Sequence, residues 1–310
     1  MTIDEFEGQW RDGGEFVTAH TSGSTGTPKE IRLPKADMRA SASATNAFFS
    51  LGAGAVYGVP LSFDYIAARM QAVRAWQGGG RVAVIAPSNT FAMPAGRIDL
   101  LAVVPSQCPW LAAHPEWAER VGDVIVGGAP LDSATARALV GAGYRPWQTY
   151  GMTETCSHVA LRPLESKEYT ALPGVTFSTD ARGCLVVDIP YMTIGRVVTN
   201  DIVELVSPTR FVWLGRADNV INSGGIKIMP EELEARIRAL VPDLDFDFYV
   251  TGRPDSRWGT AVTLVGEADA DSLAALAGRL DALLPHTHLP KRYESLIPLP
   301  RTPNGKLRRL

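Results

Sequence analysis

The stretch HTSGSTGTPKE, from His20 to Glu30, gathers three hydroxyls (Ser22, Ser24, Thr25), two glycines (Gly23, Gly26) and one lysine, Lys29. Hydroxyl and backbone N–H donors on a glycine-loosened loop suit phosphate oxygens. A Walker loop would place a glycine before the lysine and a hydroxyl after it. Here Pro28 precedes Lys29 and Glu30 follows it. Proline removes an N–H and disfavours the helical region for Thr27, so Lys29 is not set to open a phosphate-capping helix. The loop is a phosphate loop of another kind, or a polar turn after the apolar run EFVTAH.

Further segments carry groups of complementary chemistry. TYGMTETCS offers an aromatic face (Tyr150), a hydroxyl (Thr153) and a carboxylate (Glu154) that could stack on a base, contact phosphate and bind magnesium. GGAPL, from Gly127, lets a flat ring approach the backbone. Asp201 could accept both hydroxyls of a ribose. GRADNVINSGGIK begins with Arg216 and Asp218, and PRTPNGKLRR carries Lys306 near the terminus. Singly, each has an ordinary reading: a helix-start carboxylate, a turn, a surface charge, a solvated basic tail.

Elements must position these groups. The runs EFVTAH, RVAVIA, DLLAVVPS and GDVIVGG are predicted strands, separated by predicted helices over 63–76 and 133–140. That alternation predicts a largely parallel sheet in an α/β domain. After YGMTET the runs GCLVVDIP, RVVTNDIVEL and RFVWLGR shorten into a small, antiparallel, barrel-like β subdomain. Beyond them comes a small α+β unit: a helix opening at Pro230, strands DFDFYVTG and GTAVTLVG, and an amphipathic helix over 271–284. The expected domains are 1–217 and 218–310, joined at the polar GRADNV.

Composition narrows the class. With 45% apolar and 20% charged residues, the chain reads as soluble and globular. A formal charge of -3 argues against nucleic-acid or anionic-membrane partners. Three scattered cysteines suggest neither a disulfide framework nor structural zinc, and fit a reducing, cytoplasmic setting. No apolar run is long enough for a membrane span, and the acidic start has no leader-like core.

Together and in this order, the motifs resemble the adenylate-forming superfamily of acyl-CoA synthetases, non-ribosomal adenylation domains and luciferases. The resemblance runs from His20 to Arg309. It implies a large domain followed by a mobile small one, and the use of ATP, magnesium and CoA on a small carboxylic acid. By that resemblance Thr21, Ser22, Gly23, Ser24, Thr25, Gly26 and Lys29 close over the ATP phosphates. Gly127, Gly128, Ala129, Tyr150 and Gly151 hold adenine, Thr153 contacts phosphate, and Glu154 binds magnesium. Asp201 and Arg216 take the ribose, Asp218 is the hinge, and Lys306 bridges the carboxylate and α-phosphate during adenylation. Gly224, Gly225 and Lys227 are expected at the thiol channel. Members commonly carry a longer segment before the phosphate loop. The short front end here leaves room for a second subunit, a homo-oligomer, to cover apolar surface.

The continuation TCSH, with VPLSFDYIAARMQAVRAW upstream, resembles the o-succinylbenzoate-CoA ligases of menaquinone biosynthesis. That acid has two carboxylates, so its pocket needs a cation away from the reacting one. Arg74 is the expected selector and Arg69 the second candidate, with salt-bridged surface arginines as the ordinary alternative. Ser157 and His158 are expected at the aromatic end of the pocket, though His158 also reads as a structural histidine. Another aryl- or acyl-CoA ligase, or an adenylate-binding sensor without turnover, are the alternatives.

Overall fold

The chain opens on a helix whose start is written in its first residues. In α1 (Ile3–Arg11), Thr2 Oγ1 accepts from Glu5 N–H at 3.2 Å, and the Glu5 carboxylate accepts from Thr2 N–H at 2.7 Å. This reciprocal cap satisfies donors that a helix start leaves unpaired. The computed structural model describes residues 1–20, 30–301 and 307–310, and His20 by its backbone alone. A hairpin of β1 (Phe16–His20) and β2 (Glu30–Pro34) precedes α2 (Lys35–Phe48). Next come β3 (Val56–Val59), α3 (Ile66–Gly78), β4 (Arg81–Val84), β5 (Ile98–Val103), α4 (Cys108–Ala112), β6 (Val121–Val126), α5 (Ser133–Gly141) and β7 (Arg145–Gly151).

The strands β4, β3, β5, β6 and β7 pair in parallel, as the alternation predicts for the runs RVAVIA, DLLAVVPS and GDVIVGG, whereas EFVTAH pairs antiparallel with β2 in a sheet of its own. The β8 (His158–Pro163) strand then reverses and pairs antiparallel with β7, followed by β9 (Glu168–Ala171), β10 (Thr176–Thr179), β11 (Cys184–Ile189), β12 (Gly195–Ser207) and β13 (Arg210–Arg216). The later runs form strands where expected. They continue one eleven-stranded sheet, in the order β10-β11-β12-β13-β9-β8-β7-β6-β5-β3-β4, where the sequence suggested a separate barrel-like unit. Pairing of β13 with β9 supplies the continuity that run lengths alone do not reveal.

The α3 helix sits in the interior. It packs on α2 and on β3 to β5, and Ala68, Arg69, Met70, Gln71, Ala72, Val73, Arg74 and Ala75 are all buried. Gly79, with φ 69°, caps its end in the left-handed region that glycine enters freely. A helix buried all round must find partners for every polar side chain it carries.

By density of contacts the chain divides into two units. One comprises Met1–Ser178, Val186–Val197 and Leu205–Val212; the other comprises Thr179–Leu185, Val198–Glu204 and Trp213–Leu310. The second contains a hairpin of β14 (Ile221–Ser223) and β15 (Ile226–Ile228), then α6 (Pro230–Leu240), β16 (Phe248–Asp255), β17 (Gly259–Gly266), α7 (Ala270–Leu283) and β18 (Arg292–Ser295). Leu233 and Ile237 of α6 and Leu276 and Leu280 of α7 join Val250, Val262 and Leu264 in its core. No helix among the described residues is long and apolar enough to cross a membrane.

Candidate active site

In the first unit, the parallel strands β6 and β7 end side by side, and the motif residues lie just past those ends. Ligands of parallel sheets bind at the carboxyl ends of strands. Gly127, Gly128 and Ala129 follow β6, where the Ala129 carbonyl accepts from Gln148 Nε2 at 3.3 Å. Tyr150 lies on β7 with its ring edge-on to Tyr169 and Phe211, at centroid distances of 5.7 and 5.1 Å.

Gly151 is there by necessity. A Cβ at this position would lie 2.3 Å from the Ser157 carbonyl oxygen and 2.5 Å from His158 Cα. Its closeness folds the chain into a short turn, Thr153–Thr155, that leaves Thr153 half-buried and Glu154 exposed. The buried Thr155 hydroxyl ties the turn by donating toward the Ser157 carbonyl at 2.7 Å. Among the described residues no cation pairs with Glu154. A single exposed carboxylate suits magnesium, which takes one or two carboxylates and completes its shell with phosphate and water.

Behind the turn lies a polar cluster built from α2, α3 and β8. Arg74 is 2% exposed. Its Nη1 donates to Gln71 Oε1 at 3.0 Å and its Nη2 to Ser157 Oγ at 2.5 Å, with His158 Nδ1 at 3.4 Å from Nη2. Among the described residues Nε has no partner and no carboxylate pairs with this guanidinium. Burial pushes its pKa down to about 10, so it remains charged at neutral pH. Asn46 and Tyr57 hold its helix in place: Asn46 donates to the Arg74 carbonyl at 2.9 Å and accepts from the Tyr57 hydroxyl at 2.9 Å.

Arg69 has a different task. Its guanidinium donates to the carbonyls of Phe63, Thr18 and Asp64, at 2.7, 2.6 and 3.4 Å. All three nitrogens are thereby committed to backbone, and the side chain lies apart from the Arg74 cluster. Neither arginine is a salt-bridged surface residue.

His158 is buried and held neutral. Burial, reinforced by the Arg74 charge, sets its pKa well below 6.5. The unfolded chain therefore binds a proton at His158 where the folded chain does not. Stability is unaffected by this group above about pH 6.5 and falls as the pH drops below it, by at most about 1.4 kcal/mol per pH unit. Urea midpoints at about pH 7.5 and 5.5 should show this loss, and His158→Phe should flatten it.

In the second unit, Asp201, Arg216 and Asp218 come together. Trp213 Nε1 donates to Asp201 Oδ1 at 3.1 Å, Arg216 lies 3.7 Å from the same oxygen, and Arg216 Nη2 donates to Asp218 Oδ2 at 2.6 Å. Partial burial is the largest influence on the Asp218 carboxyl and raises its pKa, but the Arg216 hydrogen bond and charge, with further hydrogen bonds from its own backbone and Asn200, together leave it below the usual range. Gly224, Gly225 and Lys227 are exposed on the β14–β15 hairpin. Both glycines have positive φ, and a Cβ on Gly224 would meet the Trp258 ring at 2.9 Å. Thr21, Ser22, Gly23, Ser24, Thr25, Gly26, Lys29 and Lys306 lie outside the described residues.

Sequence reasoning did not single out Thr45, Asn46, Tyr57 or Gln71. Their only signal was polarity on segments that the fold buries. Burial pushes the thiols of Cys108 and Cys156 up to about 12, which makes them inert side chains of the core.

Comparison with known proteins shows the family and the fold. Residues 16–196 match the family model of the AMP-binding enzymes. A probable 2-succinylbenzoate–CoA ligase of Mycobacterium tuberculosis is 29% identical, over 97% of this chain and 85% of its own length. A crystal structure of an acyl-CoA synthetase (AMP-forming)/AMP-acid ligase II-like protein from Dyadobacter fermentans is 33% identical, covers 98% of this chain and 90% of its own, and has a TM-score of 0.66. The o-succinylbenzoate coenzyme A synthetase of Bacillus subtilis, in complex with ATP and magnesium ion, shares the fold at a TM-score of 0.77 and 20% identity, over 94% and 68% of the two chains. The chain belongs to the AMP-binding enzyme family. Its class is AMP-forming acid–CoA ligase.

Proposed function

We infer that the chain joins o-succinylbenzoate to CoA through an acyl-adenylate, a step of menaquinone biosynthesis; Mycobacterium tuberculosis and Staphylococcus aureus relatives carry the name 2-succinylbenzoate–CoA ligase. The observation that carries this reading is the buried Arg74 guanidinium, charged yet without a carboxylate partner among the described residues, and bonded to the half-buried Ser157 hydroxyl. A buried cation is costly until an anion meets it. A substrate with a spare carboxylate supplies that anion, with Ser157 as the contacting donor and Arg74 polarising it from behind.

In the first half-reaction the other carboxylate attacks the α-phosphorus of ATP, forming the acyl–phosphate bond and releasing pyrophosphate. Two anions meet, so positive charge and N–H donors are needed where charge accumulates. Lys306, Lys29 and the donors of residues 21–26 take that role, while Gly127 to Ala129 and Tyr150 receive the adenine. Asp201 and Arg216 receive the ribose. Magnesium, held by Glu154, would neutralise phosphate charge. In the second half the CoA thiol attacks the acyl carbonyl and AMP leaves, with Gly224, Gly225 and Lys227 beside the thiol and Asp218 as the hinge of a 218–310 domain.

Mass spectrometry of products from ATP, magnesium and a panel of acids, with and without CoA, tests the reading. Adenylate and thioester from o-succinylbenzoate support it. Preference for a monocarboxylic acid would make this another acyl-CoA ligase, and no adenylate from any acid would make it a sensor. Arg74→Met should lower kcat/KM for o-succinylbenzoate by about 1.5–3 kcal/mol, roughly 10- to 150-fold, with KM for ATP nearly unchanged.

A further inference from the structure

The hydrogen bonds around His158 fix which ring nitrogen carries its proton. Thr45, fully buried on α2, donates its one hydroxyl proton to the Ser41 carbonyl at 3.1 Å. Toward His158 Nε2, 3.1 Å away, Thr45 Oγ1 can therefore only accept, so Nε2 bears the hydrogen. Nδ1 is left with a lone pair, facing Arg74 Nη2 at 3.4 Å and Ser157 Oγ at 3.3 Å. The opposite tautomer would aim an N–H at a guanidinium N–H, and an imidazolium would add a second positive charge.

Ser157 Oγ already accepts from Arg74, so its own proton has two destinations: His158 Nδ1, or a ligand oxygen on its open side. We propose that His158 is a positioning residue for substrate selection: held by Thr45 as the neutral Nε2–H tautomer, it presents an acceptor that orients Arg74 and Ser157 toward the second carboxylate of a dicarboxylic acid. When that carboxylate arrives, the Ser157 proton turns from Nδ1 to the ligand, and Arg74 Nη2 keeps Nδ1 occupied. No proton changes owner. The inference rests on the reading that Arg74 and Ser157 meet the substrate's spare carboxylate. The charged and titratable groups facing His158 are Arg74 and, behind it, Tyr57, whose hydroxyl burial keeps neutral by raising its pKa to about 12.

The test compares kcat/KM for o-succinylbenzoate with that for 3-benzoylpropionate and 2-butanoylbenzoate, each lacking one of the two carboxylates. Wild-type protein is set beside His158→Phe, His158→Gln, Thr45→Val and Arg74→Met. His158→Phe should reduce the preference for the diacid about tenfold or more, through KM, with KM for ATP unchanged. His158→Gln, which can donate to Thr45 and accept from Arg74, should restore most of it. Thr45→Val should fall between them.

Nitrogen NMR of ring-labelled histidine reads the tautomer in the wild-type protein itself, with the conservative His158→Gln variant used only to assign the signal. His158, identified by its absence from the His158→Gln spectrum, should appear as the Nε2–H tautomer and stay neutral well below the pH at which a free histidine titrates. An Nδ1–H tautomer, protonation near the free-histidine pKa, or an unchanged preference in His158→Phe would overturn the proposal. If Arg74→Met collapses the preference while His158→Phe does not, the carboxylate reading stands and the His158 role falls. If Arg74→Met changes nothing, the carboxylate reading falls and takes the His158 role with it.

Discussion

Replacing Lys306 by alanine should slow acyl-adenylate formation by about 10²- to 10³-fold, the usual loss on removing one donor aimed at developing charge. Thioester formation from supplied acyl-adenylate should change by only a few-fold, roughly, because no second anion approaches phosphate in that step. Lys306 itself lies outside the described residues, but its successor is well held. Leu307 packs against Tyr249, Val265 and Leu299, and pairs across the chain with Arg301. Two residues on, Arg309 Nη2 donates to Glu234 at 2.7 and 2.8 Å. These contacts belong to residues 307 and 309 and are kept in the variant's sequence, so it is expected to fold. Single-turnover assays of the AMP ester and of the thioester separate the two steps, and equal loss in both would assign Lys306 another role.

The second large effect is expected at Gly151. An alanine Cβ would meet backbone, the Ser157 carbonyl at 2.3 Å and the His158 Cα at 2.5 Å, and backbone cannot swing aside as a side chain can. The β7–β8 pair would have to open where it shapes the turn, at a cost of about 3 kcal/mol or more. Adenylation should fall with it, since Tyr150, Thr153, Glu154 and Ser157 all take their places from this closure. Gly52→Ala, where nothing lies within 4 Å of the added atom, is the control and should change stability by less than about 0.5 kcal/mol. Urea unfolding of both variants decides the matter; equal midpoints would mean that the turn relaxes freely.

Much of this was legible in the sequence because the signals were local. Alternating β-rich runs and helices announced the parallel strands, Pro230 announced α6, and glycine, hydroxyl and carboxylate in a fixed order announced the adenylate motifs. What was not legible depended on distant burial. The α3 sequence IAARMQAVRAWQG carries two arginines and two glutamines, which reads as a helix with a wet face. The fold instead encloses it and finds carbonyls for Arg69 and a serine, a histidine and a glutamine for Arg74. Thr45 lies 113 residues from His158 in the chain, and no local rule links the two. The continuation of β10 to β13 into the large sheet was hidden for the same reason, since strand length does not name a strand's partner.

Cys156 carries a consequence of another sort. It is buried, yet its backbone has φ 60° and ψ -36°, in a region that side-chain-bearing residues seldom occupy. Such a conformation stores about 1–3 kcal/mol, and it sits between Thr155, which ties the turn, and Ser157, the proposed substrate contact. Cys156→Gly would release that strain and also free the turn to sample other shapes. Selection for heat tolerance and selection for turnover should therefore pull this one codon in opposite directions. Because glycine would also delete a side chain packed in the core, laboratory evolution toward thermostability would be expected to weigh strain relief against a cavity here, while a glycine variant is expected to be the slower ligase.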